Sequence, residues 1–376
     1  MADKRLIVLA AGGTGGHVFP AEALARELMK RGHKLALVTD RRGDVYGGAL
    51  GEIDTHRIRA GGIAGKGPLA KMRSVAELGM GTLQARSLLR DLDPAAVVGF
   101  GGYASIPTMM AAGFAGIATV LHEQNAILGR ANRLLAGRAR AIAVSFPESR
   151  GIPANAEGKV THTGMPVRSH VLDVRDTPYP SFTDERPFNI LVLGGSQGAR
   201  VLSDVIPEAI GKLSDKLKSR LSITQQCRPE DLENVRGTYK RLGMQAELAS
   251  FFDDVPARLA AAHLVISRSG ASTVAELLAV GRPALLVPYR YAIDDHQSLN
   301  AHAVDEVGAG WLIPETDFTA DSLASRLESM FSMPMILEKA AEAALKAGRP
   351  DAADRLATLV EQTLDGENGK DNREAA

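Results

Sequence analysis

The sequence begins with a strand-length apolar run that ends in a glycine-rich loop and continues into a helical pattern. This arrangement, RLIVLAAGGTGGHVFPAEALARELMKRGH, covers residues 5–33, and the strand and loop recur as FNILVLGGSQGAR at residues 188–200. In both halves short apolar runs alternate with longer helical patterns, which is typical of parallel α/β proteins. We therefore predict an α/β fold of two Rossmann-like domains, each built on a parallel sheet.

A chain of 376 residues is long enough for two domains with separate cores. We expect a first domain at residues 1–167, a second at 168–349, and a helix near 350–364 that packs back on the first. Residues 365–376 are a polar tail, for which we expect no regular structure. The proline-rich stretch 174–187 is expected to be a surface connection. Further strands are predicted at residues 34–39, 96–100, 118–122, 139–144, 221–225, 263–267 and 284–288.

The composition, 45% hydrophobic and 23% charged with a single cysteine, is that of a globular protein from a reducing compartment. No segment approaches the ~20 apolar residues that span a bilayer. The formal net charge of zero hides an asymmetry, because residues 1–168 carry 22 Lys and Arg against 13 Asp and Glu. A basic first half favours phosphates or anionic lipid. Nucleic acid is disfavoured as a partner, because aromatic residues make up only 5% of the chain.

Three glycine-rich loops follow predicted strands, at residues 12–17, 99–107 and 194–200. Such loops let the backbone approach a ligand closely where a helix amino terminus supplies free N–H groups. The first loop fits a dinucleotide fingerprint poorly, because Val18 occupies the third glycine position, although Asp40 ends the next strand as a ribose-binding acid would. Three loops together favour a nucleotide and a second phosphate-bearing substrate.

A fourth strand–loop–helix segment, HLVISRSGASTVAELLAVGRPALLVPY, occupies residues 263–289. Ser272 or Thr273 can cap its helix, and Arg268 lies near the loop. Glu276 has two interpretations. Its carboxylate can accept hydrogen bonds from a ribose diol, or it can complete a capping box with Ser272 or Thr273.

Several motifs together resemble the MurG family, the N-acetylglucosaminyltransferases of peptidoglycan synthesis. They occur in the family's order and are GGTGGHVFPAEALA, GFGGYASIP, HEQNAILGRANR, TGMPVR, GGSQGAR, SRSGASTVAE and DDHQSLNA. The resemblance implies a GT-B fold with the active site in a cleft between two domains. It implies inverting transfer of N-acetylglucosamine from its UDP derivative to the C4 hydroxyl of the N-acetylmuramyl group of lipid I, giving lipid II and UDP. A GT-B glycosyltransferase with another acceptor and an NAD-dependent oxidoreductase are the alternatives.

The resemblance also implies roles for individual residues. The acceptor would lie near His17, Tyr103 and Glu123, and Glu276 would bind the ribose. The family's other donor contacts fall on Thr14, Gly15, Gly16, Asn125, Arg168, Ser196, Phe252, Ala271, Ser272, Thr273, Val274, Ala275 and Gln297. The chain departs from the family at Met165, where Asn is expected, at His296, where Gln is expected, and at Phe252, where an aliphatic residue is expected to back the uracil.

An inverting transfer needs a base for the attacking hydroxyl and stabilisation of the leaving diphosphate. His17 is the leading base candidate, because imidazole titrates near neutral pH, but it could instead bind phosphate. Glu123 and Asp294 or Asp295 are carboxylate alternatives. No metal or other cofactor is expected, since Arg168 and helix N–H groups could stabilise the leaving group.

The segment 65–94 carries a local membrane signal. Its apolar residues Leu69, Met72, Val75, Leu78 and Leu83 recur at roughly helical spacing among Lys66, Lys71, Arg73 and Arg86. Such a helix could enter anionic headgroups, or it could bury its apolar face in the domain core. We expect peripheral association with the cytoplasmic face of the cell membrane, where other cell-wall synthesis proteins are candidate partners.

Overall fold

The computed structural model describes residues 5–13, 15–40, 48–61, 68–183, 187–195 and 198–374. Its contacts divide the chain into two units. The first unit consists of Met1–Arg168 and Pro350–Ala376, and the second of Ser169–Arg349.

Within the described residues of the first unit, seven parallel strands form one sheet in the order β3-β2-β1-β4-β5-β6-β7. Its strands are β1 (Leu6–Ala10), β2 (Lys34–Asp40), β3 (Asp54–Ile58), β4 (Ala96–Gly99), β5 (Ala118–Glu123), β6 (Ala141–Val144) and β7 (Val160–His162). The run LIVLA of β1 is almost wholly buried, because β2 and β4 flank it in the sheet and helices cover both faces.

Helices alternate with the strands along the chain of this unit. They are α1 (Gly15–Lys30), α2 (Gly48–Gly51), α3 (Pro68–Leu92), α4 (Gly102–Phe114), α5 (Arg130–Leu135) and, after the second unit, α15 (Ala352–Glu374), with a 3₁₀ helix at Ala154–Lys159. Leu356 and Val360 of α15 are fully buried in the first unit's core, as the predicted returning helix requires. The tail prediction was wrong, since α15 continues to Glu374. Once its first turns are packed, each further residue adds a helical hydrogen bond at little cost.

The described part of the second unit holds a six-stranded parallel sheet in the order β10-β9-β8-β11-β12-β13. Its strands are β8 (Phe188–Leu193), β9 (Leu221–Gln226), β10 (Ala246–Ala249), β11 (Leu264–Ser267), β12 (Ala284–Leu286) and β13 (Gly310–Leu312). Its helices are α6 (Ser169–Leu172), α7 (Arg200–Gly211), α8 (Asp215–Lys218), α9 (Leu232–Arg241), α10 (Val255–Ala261), α11 (Ala271–Val280), α12 (His296–Glu306), α13 (Ala320–Ser332) and α14 (Pro334–Ala347), with a 3₁₀ helix at Ile293–Asp295.

The core of the second unit forms around β8 and β11. Ile190, Val192, Leu264 and Ile266 are buried there together with Leu327 of α13. The proline-rich connection is attached to this unit through backbone groups, because Tyr179 donates to the carbonyl of His263 at 2.7 Å. Arg282, 2% exposed, reaches the same connection and donates to the carbonyl of Thr177.

The predicted fold class is confirmed, and the central strands lie where the sequence predicted them. The sequence did not predict the edge strands β3 and β7 of the first sheet or β10 and β13 of the second. Among the described helices, none is long and apolar enough to cross a membrane.

Candidate active site

The first unit places two of the predicted glycine loops at one point of its sheet. The chain reverses the direction of sheet growth between β1 and β4, which are neighbours in the sheet. In open α/β sheets ligands bind outside the carboxyl ends of the strands at such a switch point. The loops after β1 and β4 are the ones that lie there.

Glycine is required in these loops for two different physical reasons. A Cβ on Gly12 would lie 2.7 Å from Thr39 Oγ1, so the loop after β1 is packed tightly against β2. Gly101 and Gly102 have φ values of 77° and 69°, a region that favours glycine. Gly15 and Gly16 form the first residues of α1, where N–H groups are unpaired within the helix. Thr14 lies outside the described residues.

His17 is the third residue of α1, and its ring lies beside the loop after β4. A Cβ on Gly102 would lie 3.2 Å from His17 Nε2, so the absence of a side chain there makes room for the ring. Its Nδ1 lies 3.2 Å from Gln124 Oε1. Gln124 is 2% exposed and comes directly after β5. The structure therefore attaches the leading base candidate to a buried glutamine.

Glu123 organises the loop after β5 and does not present its carboxylate to a ligand. Its Oε1 accepts from the backbone and side-chain nitrogens of Asn125, at 3.0 and 3.2 Å. Its Oε2 accepts from the Gly129 backbone and from Asn132 Nδ2, both at 2.8 Å. Four donors on a side chain that is 2% exposed argue against the expected roles of Glu123 as a substrate contact and as a base.

The remaining first-unit candidates are partly exposed. Asn125 is half-buried in the loop that Glu123 shapes, and Tyr103 is half-buried in the first turn of α4. Arg168 ends the unit, with its guanidinium carbon 4.3 Å from the centre of the Phe19 ring on α1. Arg168 is therefore held near the helix that carries His17.

The second unit has an equivalent switch point between β8 and β11, which are neighbours although three strands of sequence apart. After β8, Gly195 and Gly198 have φ values of 76° and 69°, and the Gly194 N–H donates to Gln226 Oε1 at 3.1 Å. Ser196 lies between these glycines and outside the described residues.

The loop after β11 leads into α11, whose amino terminus has no side-chain cap. The N-cap residue is Gly270, so the predicted capping by Ser272 or Thr273 is wrong. Ser272 Oγ is buried and has no hydrogen-bond partner in the described part of the chain. The capping-box interpretation of Glu276 fails for the same reason, because the carboxylate lies in the second turn of the helix, and it is 9% exposed.

The other residues in the first turns of α11 differ in burial. Ala271 and Val274 are buried, whereas Thr273 and Ala275 are half-buried together with Ser272. The first turn of α11 thus combines unpaired N–H groups, a hydroxyl without a partner and a nearby carboxylate. This set can bind an anionic group beside a diol.

Arg268 does not serve this anion site. Its Nη1 donates to Glu315 Oε2 at 2.6 Å and to the carbonyls of Val287 and Pro288. Arg268 therefore fixes the segment after β12. That segment bears Gln297, whose Oε1 accepts from the Tyr289 N–H at 2.9 Å.

The turn that precedes α12 is strained. Asp294 and Asp295 have φ values of 55° and 52°, where residues with a Cβ are uncommon. Asp295 Oδ1 accepts from Ser298 Oγ at 2.7 Å. Among the described residues, no group of three or more His, Cys, Asp or Glu side chains is arranged to hold a metal ion.

The ring of the residue predicted to back a uracil is covered by another side chain. Phe252 is 6% exposed, and the Arg258 guanidinium carbon lies 4.2 Å from the centre of its ring. Arg258 is held there by Glu247 and Asp254. The neighbouring Phe251, which sequence reasoning did not select, is 70% exposed and is the available ring of this turn.

Sequence reasoning also missed Gln124 and Asn132. Both occur in motifs that were recognised, HEQN and GRANR, but neither was given a role. Both are buried, at 2% and 1% exposure, and both bond to residues at the end of β5. The available signal was that amide side chains close to a buried strand must find hydrogen-bond partners.

Two Rossmann-like units in one chain, with glycine loops at both switch points, are the construction of GT-B glycosyltransferases. Family models agree with this class. The glycosyltransferase family 28 N-terminal domain matches residues 7–144, and the glycosyltransferase family 28 C-terminal domain matches residues 189–356.

Individual relatives narrow the class further. A protein of Paramagnetospirillum magneticum named UDP-N-acetylglucosamine–N-acetylmuramyl-(pentapeptide) pyrophosphoryl-undecaprenol N-acetylglucosamine transferase is 59% identical over 98% of this chain and 99% of its own. A protein of the same name from Rhodospirillum rubrum is 57% identical over 96% and 92%. The crystal structure of Acinetobacter baumannii MurG matches with a TM-score of 0.75 and 27% identity, covering 95% of this chain and 99% of that one.

The chain belongs to glycosyltransferase family 28 and, within it, to the MurG family. The resemblance drawn from the motifs is confirmed, and the family assignment replaces the oxidoreductase alternative. Asp40, the residue that would bind a ribose under that alternative, is 2% exposed at the end of β2.

Proposed function

We propose that this protein transfers N-acetylglucosamine from UDP-N-acetylglucosamine to the C4 hydroxyl of the N-acetylmuramyl group of undecaprenyl-diphosphate-linked lipid I, with inversion. The full-length identity of 59% to a relative named for that transfer carries the proposal. The two switch-point sites support it, because the reaction needs one site for each of two diphosphate substrates.

The donor is assigned to the second unit. The uncapped amino terminus of α11 would bind the UDP diphosphate through residues 271–275, assisted by the Ser272 hydroxyl and by Ser196. Glu276 would accept from the ribose hydroxyls, and Gln297 would contact the sugar. The exposed ring of Phe251, rather than Phe252, offers the apolar surface for the uracil.

The acceptor is assigned to the first unit. Gly15 and Gly16, with Thr14, would bind its diphosphate at the amino terminus of α1, where the helix dipole favours negative charge. Tyr103 and Asn125 would contact the acceptor sugar from the loops after β4 and β5. The resemblance also implies donor contacts at Thr14, Gly15, Gly16 and Asn125.

The chemical step follows from these assignments. The C4 oxygen forms a bond to C1 of N-acetylglucosamine, the C1–O bond to the diphosphate breaks, and its electron pair leaves with UDP. His17 accepts the hydroxyl proton, because a neutral imidazole in hydrogen-bond reach of the nucleophile is an effective base near pH 7. Arg168 and the helix N–H groups would stabilise the charge on UDP.

Peripheral membrane binding is assigned to the outer face of α3. Met72, Val75, Met80 and Leu83 are 72%, 58%, 41% and 68% exposed, so this helix does not bury all its apolar residues. Leu78 packs toward the core, and Leu69, Lys66 and Lys71 belong to the positions whose side chains are not described. With the exposed Arg73 and Arg86 beside it, the face suits insertion into anionic headgroups.

The test is UDP release from UDP-N-acetylglucosamine with and without a short-chain lipid I analogue. Release that requires the analogue, with lipid II analogue as the second product, supports the proposal. Intact UDP binding without release in the presence of the analogue would redirect the assignment to a glycosyltransferase with another acceptor. Inversion is checked by the anomeric configuration of the product.

A further inference from the structure

The buried side chains behind His17 form one chain of polar contacts. Gln124 Nε2 lies 3.0 Å from the Phe100 carbonyl oxygen, 3.0 Å from His122 Nδ1 and 3.2 Å from the His122 carbonyl oxygen. Gln124 Oε1 lies 3.2 Å from His17 Nδ1. His122 Nε2 lies 3.4 Å from the Gly164 carbonyl oxygen.

The two carbonyl oxygens determine which way the Gln124 amide points. A carbonyl oxygen can only accept a hydrogen bond, so the Gln124 atom that faces Phe100 and His122 must be the NH₂ group. The amide oxygen is then the atom that faces His17. A flipped amide would place its oxygen against two carbonyl oxygens in a buried site, which is strongly unfavourable.

His122 is consistent with this direction. The ring is fully buried, and burial lowers the pKa of His122 to about 4, so it is neutral at physiological pH. A neutral His122 can accept from Gln124 at Nδ1 and donate from Nε2 to Gly164. Each contact in the chain then pairs a donor group with an acceptor, and the two N–H protons of Gln124 are shared among three acceptors.

We propose that Gln124 is a positioning residue that holds neutral His17 in its Nδ1–H tautomer and so leaves Nε2 unprotonated for the acceptor hydroxyl. Because Gln124 Oε1 can only accept, His17 Nδ1 must carry the proton at that contact. The same contact fixes the ring plane, with the Nε2 edge beside Gly102 at the start of α4. The role of Nε2 as a base rests on the proposed function. The Nδ1–H tautomer of His17 depends only on the contact with Gln124.

Glu123 and Gln124, which are neighbours in the HEQN motif, bond to different parts of the unit. Glu123 accepts the donors that shape the loop carrying Asn125, while Gln124 points to the opposite side, toward α1. A carboxylate at position 124 would have to be protonated to satisfy the Phe100 carbonyl. An amide supplies a donor and an acceptor at every pH, which suits a residue that must orient an imidazole without taking its proton.

The experiment compares Gln124→Met with Gln124→Glu in the full-length protein. Methionine keeps the length and apolar bulk but has no oxygen to accept from His17. Glutamic acid, protonated in this buried position, keeps an acceptor toward His17 and a donor toward Phe100. We expect Gln124→Met to lose about 10- to 100-fold in kcat, within the contribution of a positioned base, with KM for UDP-N-acetylglucosamine nearly unchanged. Gln124→Glu should retain most of the activity.

Selective ¹⁵N-histidine labelling supplies a readout that does not depend on turnover. The His17 signals are identified by their loss in His17→Ala, and long-range ¹H–¹⁵N correlations distinguish the Nδ1–H from the Nε2–H tautomer. We expect Nδ1–H in the wild type and in Gln124→Glu, and a shift toward Nε2–H in Gln124→Met.

The matched control is Gln225→Met, because Gln225 is fully buried in the second unit and is bonded to Tyr239 Oη. It should lower thermal stability without changing the His17 tautomer. A wild-type Nε2–H tautomer would overturn the proposal, as would equal losses from Gln124→Met in the wild-type and His17→Ala backgrounds. If the tautomer is Nδ1–H but no lipid I analogue is glycosylated, the proposed acceptor fails and the positioning role remains.

Discussion

The two units build their ligand loops on the same sheet topology but provide different chemistry at them. At the first switch point a side chain, His17, is positioned by a chain of buried polar residues. At the second, the start of α11 has neither a side-chain cap nor a partner for Ser272 among the described residues. The first unit thus positions an imidazole, and the second exposes the backbone N–H groups of an uncapped helix start.

This difference shows how one fold can be used twice in one chain. A Rossmann-like sheet determines where a loop leaves a strand, not which groups the loop presents. Buried polar groups need partners, so the network behind His17 constrains neighbouring residues on β5 and α5. A helix amino terminus needs only small residues near it, which is what Gly270 and Ala271 supply.

The largest expected effect is on the side-chain chemistry of the first unit. His17→Ala should reduce kcat by about 10²- to 10⁴-fold, the usual contribution of a positioned base. UDP affinity, measured by calorimetry, should change little because the donor is assigned to the second unit. A kcat loss below tenfold would contradict the role of His17 as a base and favour its role as a phosphate ligand.

The second unit should respond in binding rather than in turnover. Glu276→Ala should weaken UDP-N-acetylglucosamine binding by about 10- to 100-fold, since hydrogen bonds to a charged group are worth about 1.5–3 kcal/mol. Calorimetric titration with UDP measures this loss. Asp40→Asn, at the end of β2, is the control and should leave UDP affinity unchanged. Equal affinity in Glu276→Ala would exclude the ribose role.

The exposed apolar face of α3 distinguishes the first unit from the second in another respect. Met72→Ser combined with Leu83→Ser should reduce binding to anionic phospholipid vesicles at least about tenfold, since each buried apolar side chain contributes about 1.5–3 kcal/mol. Transfer to a water-soluble acceptor analogue should not change. Met335→Ser, at a second-unit methionine that is 64% exposed, is the matched control. Vesicle binding that is unaffected by the double substitution would place the membrane contact elsewhere.

The smallest effect concerns acid stability. Burial lowers the pKa of His122 to about 4, so below pH ~6.5 the unfolded chain binds a proton that the folded unit does not. The His122 contribution is therefore complete above that pH and is progressively lost as the pH falls toward 4. Urea unfolding at pH 7.5 and 5.5 should show a smaller difference for His122→Gln than for wild type.

His263 is the corresponding buried histidine of the second unit. Burial lowers its pKa as well, so His263→Gln should also reduce the pH dependence. If neither substitution changes the slope, the acid sensitivity arises from other groups and the histidines do not distinguish the units.

The central strands and the glycine loops could be predicted from the sequence because both depend on local composition. A strand buried on two faces is a continuous apolar run, as in LIVLA and FNILVL. Edge strands lack that signal. The strand β3, for example, has the sequence DTHRI and is largely exposed, so only its pairing with β2 makes it a strand.

The sequence predicted where the candidate site residues lie along the chain, but not which of their side chains are available to a ligand. Residues in the first two turns of a helix after a glycine-rich loop, such as His17 and Glu276, were selected because their place in the motif shows where they lie along the helix. Which side chains are available was not predictable. Phe252 is covered by Arg258, Arg268 is paired with Glu315, and Glu123 is saturated with donors.

The sequence by itself determined the family, the parallel α/β class and the positions of the glycine-rich loops, because motifs and apolar periodicity are local properties of the chain. Only the tertiary structure decided the partner of each polar side chain. The direction of the Gln124 amide depends on the carbonyls of Phe100, directly after β4, and of His122 on β5. Partners distant in sequence meet only after the sheet has formed, so the tautomer of His17 is a property of the fold.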